Sequence, residues 1–593
     1  MRRTHRRLSF THAGWALPWL LLPLLAHAGV QLVVDGVDDP LKSAVVAGAE
    51  LSQYATRDVS DAQVRRLYAR APDQVKSSLE PYGYYDATVT GELQQVGKDW
   101  RVTLHVKPAE PVIVTAVDIQ LDTVATSIAS IRRAERAIER LKDKPLNHGT
   151  YDAARDALSA QLTANGFLDA RLVTHRVEVS RANRSATIKL AWQAGQRYRY
   201  GQVHFEGSQF NEGFLDRYVP FKSGDYFSQN QLLELQQALN GADYFAVVNV
   251  VPELDAAKNG VIDVSVQLAP AKRTIYTGGP FIGTDTGLGV RGGIERRWVN
   301  RHGHKWKNEL VLAQRLKTVS TLYSIPLPGE NQRSLNFGAN YRDANTETSQ
   351  SRTLELVGNE TELWHGWTRT LGMHALDGTF TVGKIGDEPD STPGIEHGRS
   401  TEVFAEASLS RKQADNPTFV RNGWSLSVTA RSTAGSLLST ASFSQLMIDA
   451  KWIRAFAGNN RLILRGSAGA TWTDDFTALP PQLRFFAGGD RSVRGYSFES
   501  IGPLNSDGRV IGGKNLLVGS AEVEHYFTRN WGIASFVDAG NAFDGTDYSP
   551  KVGTGLGLRW RSPVGLIRID LGTPVNDSQR RGVELHVVIG PDL

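Results

Sequence analysis

Two periodicities divide the chain. Over residues 29–273 strand-like and helix-like runs alternate, whereas from Thr274 onward only a period of two remains. In the second half Leu517, Gly519, Ala521, Val523, His525 and Phe527 share one face, with Val518, Ser520, Glu522, Glu524, Tyr526 and Thr528 on the other. Leu556, Leu558 and Trp560 oppose Gly555, Gly557, Arg559 and Arg561 in the same way. Ile567, Ile569 and Leu571 oppose Arg568 and Asp570, and Val583, Leu585, Val587 and Ile589 oppose Glu584 and His586. Such segments run to about ten residues, where a soluble sandwich ends its strands after about 5–6. Turns such as Asn300-Arg301-His302-Gly303 and Gly458-Asn459-Asn460 separate them. An apolar face set against a charged one over that length fits a membrane barrel with a polar lumen. Residues 274–593, at about 20 residues per strand with its connection, accommodate roughly 16 antiparallel strands.

The first half reads as a repeat of about 80 residues. In the clearest unit Val203, Phe205 and the Glu206-Gly207 turn end a strand. Leu232, Leu235 and Leu239 then share a helix face closed by Asn240-Gly241, and strands follow over 244–250 and 261–267. In the unit before it, Tyr151, Ala154, Leu158 and Leu162 precede Asn165-Gly166 and the strands 167–172 and 186–192. In the first unit Val75 and Leu79 precede Gly83-Tyr84-Tyr85-Asp86-Ala87 and a strand over 100–106. The β-α-α-β-β order, with Gly83-Tyr84-Tyr85-Asp86-Ala87 and Gly166-Phe167-Leu168-Asp169-Ala170, resembles POTRA domains; the third unit departs from the pattern with Asp243 in the glycine position. The boundaries expected are 29–110, 111–195 and 196–273 for the three units and 274–593 for the barrel. The fold class is α+β followed by all-β. Open sheet edges in the three units could take up an extended client by strand addition.

Composition narrows the partners. The chain has 66 Lys and Arg against 62 Asp and Glu, but Arg2, Arg3, Arg6 and Arg7 account for the excess, so the charge gives no support for nucleic-acid binding. Residues 1–28 read as a secretory signal, with an arginine-rich start, an apolar run over 15–25 and Ala26-His27-Ala28 as the cleavage site. No cysteine is present, which excludes disulfide and thiolate chemistry.

Enzymatic motifs fail on context. Gly287-Leu288-Gly289-Val290-Arg291-Gly292 matches a dinucleotide fingerprint but is followed by strand and turn instead of a helix. Gly495-Tyr496-Ser497-Phe498-Glu499 is one residue short of a nucleophile elbow, and the histidines lack metal-ligand spacing. No enzyme activity and no cofactor are expected.

Between the late strands lies a glycine-rich, charged stretch, 486–503, whose Phe486, Tyr496 and Phe498 argue for packing. Its Val493-Arg494-Gly495-Tyr496 core resembles the signature of the BamA/TamA outer-membrane insertase superfamily, which includes two-partner secretion transporters. That resemblance implies a loop tucked inside the barrel, with the motif arginine paired to an inward aspartate of an F-x-D-x-G strand. Phe536-Val537-Asp538-Ala539-Gly540 matches it, with Phe536 and Asp538 on the lumenal face by alternation. An Arg494–Asp538 contact is expected, and exchange of the two charges is expected to restore what either single change removes. Glu522, Glu524 and Asp570, also lumenal, are the competing partners.

Closing the barrel sets Gly278, Gly279 and Pro280 near Val587 and Ile589. Proline lacks a donor and glycines weaken a strand, so this seam is the expected lateral gate. Three POTRA-like units place the resemblance in the TamA branch of the superfamily. It implies an outer-membrane location with POTRA domains in the periplasm, and assistance to the insertion and folding of β-barrel or autotransporter clients. The implied partners are a TamB-like inner-membrane-anchored protein, unfolded clients and outer-membrane lipid. The alternatives are a two-partner secretion transporter and a diffusion porin with periplasmic domains.

Overall fold

In a computed structural model, the structure describes residues 29–328, 332–386, 388–389, 391–435, 437–562, 565–577, 582–590 and 592. The signal segment 1–28 lies outside the described residues.

Three α/β domains come first. In the first, the strand Val30–Asp35 runs parallel to the strand Asp99–Lys107, which is antiparallel to the strand Thr88–Val96. Helices Leu41–Gly48 and Asp61–Leu79 cover the sheet. The longer helix starts where Ser60 accepts a hydrogen bond from the Gln63 amide, and it buries Val64, Leu67, Ala71, Val75 and Leu79, the one-sided spacing of an amphipathic helix. The second domain repeats the order with strands Ile113–Gln120, Arg171–Ser180 and Ser185–Gln193 and helices Ala129–Glu139 and His148–Ala164. The third has strands Arg199–Glu206, Phe245–Pro252 and Val261–Pro270 and one long helix, Gln229–Gly241. Each sheet places its last strand in the centre. Gly83 (φ 87°), Gly166 (φ 95°) and Asp243 (φ 59°) all hold the left-handed conformation after a helix. The third domain's departure from glycine is therefore conservative, because aspartate visits that region more readily than most side chains.

By packing, the chain forms two units. One comprises the described residues up to Tyr200 with Ser223–Asn230 and Ala257–Ile262. The other comprises Gly201–Lys222, Gln231–Ala256 and the chain from Asp263 onward. Within this second unit, residues of the third domain pack on the turn 297–304. Phe210 lies 4.7 Å from Tyr244 and 6.4 Å from Trp298 between ring centroids. The Tyr244 hydroxyl donates to Gly303 O at 2.6 Å, and Arg297 pairs with Asp243 at 2.7 Å. Burial pushes the Tyr244 hydroxyl well above its ordinary pKa, which keeps it a donor.

Sixteen strands follow: β1 Thr274–Gly283, β2 Gly287–Arg296, β3 Lys305–Ala313, β4 Leu316–Pro326, β5 Ser334–Asn345, β6 Ser349–Trp364, β7 Trp367–Val382 and β8 Glu396–Ala414. The remainder are β9 Asn422–Thr433, β10 Phe443–Phe456, β11 Asn460–Thr473, β12 Asn515–Tyr526, β13 Trp531–Phe543, β14 Lys551–Ser562, β15 Gly565–Pro574 and β16 Glu584–Gly590. They form one sheet in sequence order. The predicted number and the alternation both hold. Leu517, Val523, Ile533, Val537, Leu556, Leu571 and Leu585 are exposed, while Glu522, Glu524, Asp538, Arg559, Asp570 and His586 are buried. Apolar outside and charged inside inverts a soluble protein and suits a barrel in lipid. Gly287 to Gly292 lie in β2, as strand residues. Among the described residues no helix is long and apolar enough to cross a membrane.

Strand length varies around the wall. β1 and β2 have ten residues, β3 nine and β16 seven, whereas β6 and β7 have sixteen and β8 nineteen.

Candidate functional site

The connection 474–514 joins β11 to β12 and folds back into the lumen. Arg484 knots its base, donating to Leu479 O at 2.7 Å, Thr477 O at 2.9 Å and Ile511 O at 2.9 Å. Bridges Phe485–Gly513 and Ala487–Ile501 then zip its two arms. Val493 and Tyr496 are buried with Ala487, Ile501 and Val518. That apolar knot packs the tip while its charged side faces the wall.

Arg494 is the centre of the contact. Its Nε and Nη2 reach Asp538 Oδ2 and Oδ1 at 2.8 and 3.0 Å, and its own amide donates to Oδ2 at 3.0 Å. Nη1 donates to Glu522 at 2.7 Å and Asp570 at 3.0 Å. The guanidinium carbon sits 3.5 Å from the centre of the Phe536 ring. The forked Asp538 pairing and the aromatic platform use features that arginine has and lysine lacks. The expected pair is present but shared: Glu522 and Asp570 bind the same guanidinium, and Glu524 does not.

Glycines make the approach possible. A Cβ on Gly495 (φ 92°) would lie 2.8 Å from the Thr573 carbonyl carbon, and one on Gly572 would lie 2.6 Å from Gly495 N. One on Gly553 would overlap Arg494 O. Gly540 acts differently, since its Cβ would press on Val518 at 2.7 Å and Leu517 O at 2.8 Å, within the sheet.

The charge cluster continues down the lumen. Arg559 donates to Glu522 at 2.6 Å, Glu524 at 2.9 Å and Asp570 at 2.5 Å. Arg461 binds Glu524 and reaches Asp592 at 2.7 Å, and Arg568 reaches Asp592 at 2.6 Å. Carboxylates and guanidinia thus alternate from the loop tip to the end of the chain, each buried charge facing opposite ones, as a low-dielectric interior requires.

At the seam, β1 pairs with β2 and β16 with β15, and among the described residues no ladder joins β1 to β16. Gly278, Gly279 and Pro280 lie on β1 in register with Gly292, Arg291 and Val290 of β2. Val587 and Ile589 lie on β16 opposite Ile569 and Ile567. The loop tip spans the gap. Asp490 accepts from Thr284 Oγ1 at 2.7 and 2.9 Å and meets His586 Nδ1 at 2.7 Å, while Gly495 N donates to His586 Nε2 at 3.0 Å. The Val587 amide donates to Thr284 Oγ1 at 3.3 Å. One carboxylate therefore touches both flanks of the seam. Sequence reasoning missed this clasp, along with Arg559, Arg461 and Asp592. Alternation marks Arg559 as lumenal, but nothing along the chain brings Asp490 to Thr284, 206 positions away. Among the described residues no group of His, Asp and Glu side chains is placed to hold a metal ion.

Residues 300–591 match the Omp85 superfamily domain, residues 31–108 the POTRA domain described as TamA domain 1, and residues 198–269 a POTRA domain described as surface antigen variable number repeat. The outer membrane protein assembly factor BamA of Nitratidesulfovibrio vulgaris is 24% identical over 404 residues, 65% of this chain and 49% of that protein. BamA of Neisseria meningitidis serogroup B is 24% identical over 116 residues, 18% of this chain and 14% of that protein. The chain thus matches about half the length, or less, of these curated relatives. The crystal structure of Haemophilus ducreyi BamA lacking POTRA domains 1–3 superposes with a TM-score of 0.63 at 15% identity, covering 80% of this chain and 99% of that one.

Proposed function

Because the chain belongs to the Omp85 superfamily, outer-membrane β-barrels with N-terminal periplasmic POTRA domains, we propose that it assists the insertion and folding of β-barrel clients, autotransporters among them, at the seam between β1 and β16. Members of this superfamily are assembly factors and transporters, not enzymes. The observation that carries the reading is the unpaired seam: among the described residues fifteen neighbouring strand pairs are laddered and the closing one is not. Unpaired edges in lipid leave backbone donors and acceptors unsatisfied, and an incoming client strand relieves that penalty by pairing with them. Pro280 and the two glycines before it weaken β1. Asp490 holds the flanks together until a client competes. The POTRA domains offer open sheet edges to unfolded clients in the periplasm, and a TamB-like, inner-membrane-anchored protein is the partner that would deliver them.

The test is reconstitution in liposomes, with client barrels folding in the presence of the protein. Thr284→Cys and Val587→Cys, joined by a short bismaleimide in a chain with no cysteine of its own, should abolish the acceleration. Client folding that is equally fast with the seam crosslinked would sink the proposal. High ion conductance without any client acceleration would favour the porin.

A further inference from the structure

The lumen holds two cations that meet only backbone oxygens. Lys451 of β10 and Arg465 of β11 are directly opposed in the ladder, in a lumenal row that continues through Ser425, Ser520 and Asp538. Like charges directly opposite one another destabilise a sheet, and in a confined lumen they are screened less than at a surface. Their contacts do not neutralise them. Lys451 Nζ donates to Asp592 O, and Arg465 donates to Asp490 O at 3.3 Å and Ser492 O at 3.0 Å, all backbone oxygens. Among the described residues neither forms an ion pair with a carboxylate.

The nearby carboxylates are engaged elsewhere. Asp449 accepts from Ser467 Oγ at 2.6 Å, Asp490 belongs to the seam clasp, Glu522 and Asp570 to Arg494 and Arg559, and Asp592 to Arg461 and Arg568. Lys451, Arg465 and Arg568 open on a cavity of about 920 Å³ that reaches Val588, Ile589 and Gly590 of the last strand. Eight basic side chains against five carboxylates line it. The hydroxyls of Ser425 and Ser427 add neutral donors. Two guanidinia and one ammonium from three strands, with hydroxyls on the adjoining strand, are the donor set of an oxyanion site.

We propose that Lys451, Arg465 and Arg568 form a phosphate-binding site in the barrel lumen beside the last strand. A phosphate there bridges the opposed cations and turns their repulsion into attraction. It reaches the site either as a free ion in the aqueous lumen or as the headgroup of an anionic lipid entering at the seam.

The experiment uses the full-length protein in neutral detergent, titrated with inorganic phosphate at constant ionic strength and read by thermal unfolding and by 31P line broadening. Phosphate should raise the midpoint of the wild type and broaden the ion's signal. Lys451→Gln and Arg465→Met should each weaken binding at least ten-fold, and the double variant should lose both signals. A second arm compares the protein recovered from phosphatidylglycerol and phosphatidylcholine vesicles by native mass spectrometry. Phosphatidylglycerol retained by the wild type but not by the double variant identifies the lipid source; phosphate binding without lipid retention identifies the free ion. Should the wild type respond to neither, or the double variant respond like the wild type, the assignment is overturned. A variant that unfolds earlier without phosphate yet keeps the full phosphate shift also overturns it.

Discussion

Replacing Arg494 with alanine should release the lumenal loop, by an amount the geometry sets. The change strips Asp538 of the guanidinium that supplies both its forked hydrogen bonds, in a site where the Asp538 side chain is wholly buried. Glu522 and Asp570 keep Arg559, so the uncompensated charge is concentrated on Asp538. Removing one partner of a buried pair costs about 3–5 kcal/mol, and 1.4 kcal/mol is a factor of ten. The population of the open loop should therefore rise by at least about a hundred-fold. Val493, fully buried one position before the arginine, reports opening when changed to cysteine, because the chain has no other thiol. Maleimide labelling of Val493→Cys should accelerate by that factor in the Arg494→Ala background. Arg494→Lys should accelerate it less, since the charge survives while the fork and the Phe536 platform are lost. Adding Asp538→Asn to Arg494→Ala should recover about 2 kcal/mol by removing the stranded charge. The charge exchange Arg494→Asp with Asp538→Arg would rescue an isolated pair. Here it should fail, because an acid at 494 would face Glu522 and Asp570. Labelling within three-fold of the parent, or full rescue by the exchange, would refute the shared-cation account.

Four further outcomes follow from the geometry. Asp490→Ala should loosen both flanks of the seam and raise the ion conductance of the reconstituted barrel; unchanged conductance would remove the clasp. Gly572→Ala should destabilise the seated loop by about 1–3 kcal/mol, because its Cβ would meet backbone that cannot rotate away. Gly519→Ala, with open space around it, should stay within about 0.5 kcal/mol, both measured by urea unfolding in detergent. Tyr244→Phe leaves Gly303 O without its donor, and should cost about 1–3 kcal/mol, seen as faster amide exchange in the turn 297–304.

The architecture was legible because its signals are local. A period of two survives along β12 and β13, with Glu522, Glu524 and Asp538 inward, and a helix face such as Leu232, Leu235 and Leu239 declares itself within one element. Arg494 and Asp538 were legible as a pair only through the superfamily resemblance. Alternation alone gave four inward carboxylates with no means of choosing, and the structure shows why: the guanidinium takes three of them. The clasp at Asp490 was illegible, since it depends on the tip reaching β1 and β16 at once, a matter of barrel closure that no single strand encodes. The glycine gaps at Gly553 and Gly572 were visible as residues but not as clearances, because the object they admit is backbone from another part of the chain.

The unequal strands carry a consequence for the surrounding bilayer. Seven residues at about 3.3 Å each, tilted by about 40°, rise roughly 18 Å, short of the apolar band of about 25 Å typical of such barrels. β8, at nineteen residues, rises well past that band. Lipid beside β16 must compress to match it, while lipid beside β8 need not, so the membrane is elastically loaded on one side of the barrel only. Compression costs fractions of a kcal/mol per ångström of mismatch, and that stored energy grows with acyl-chain length. The protein would thus create its own thin spot in a thick membrane, and shorter-chain lipids would erase the difference between its two sides.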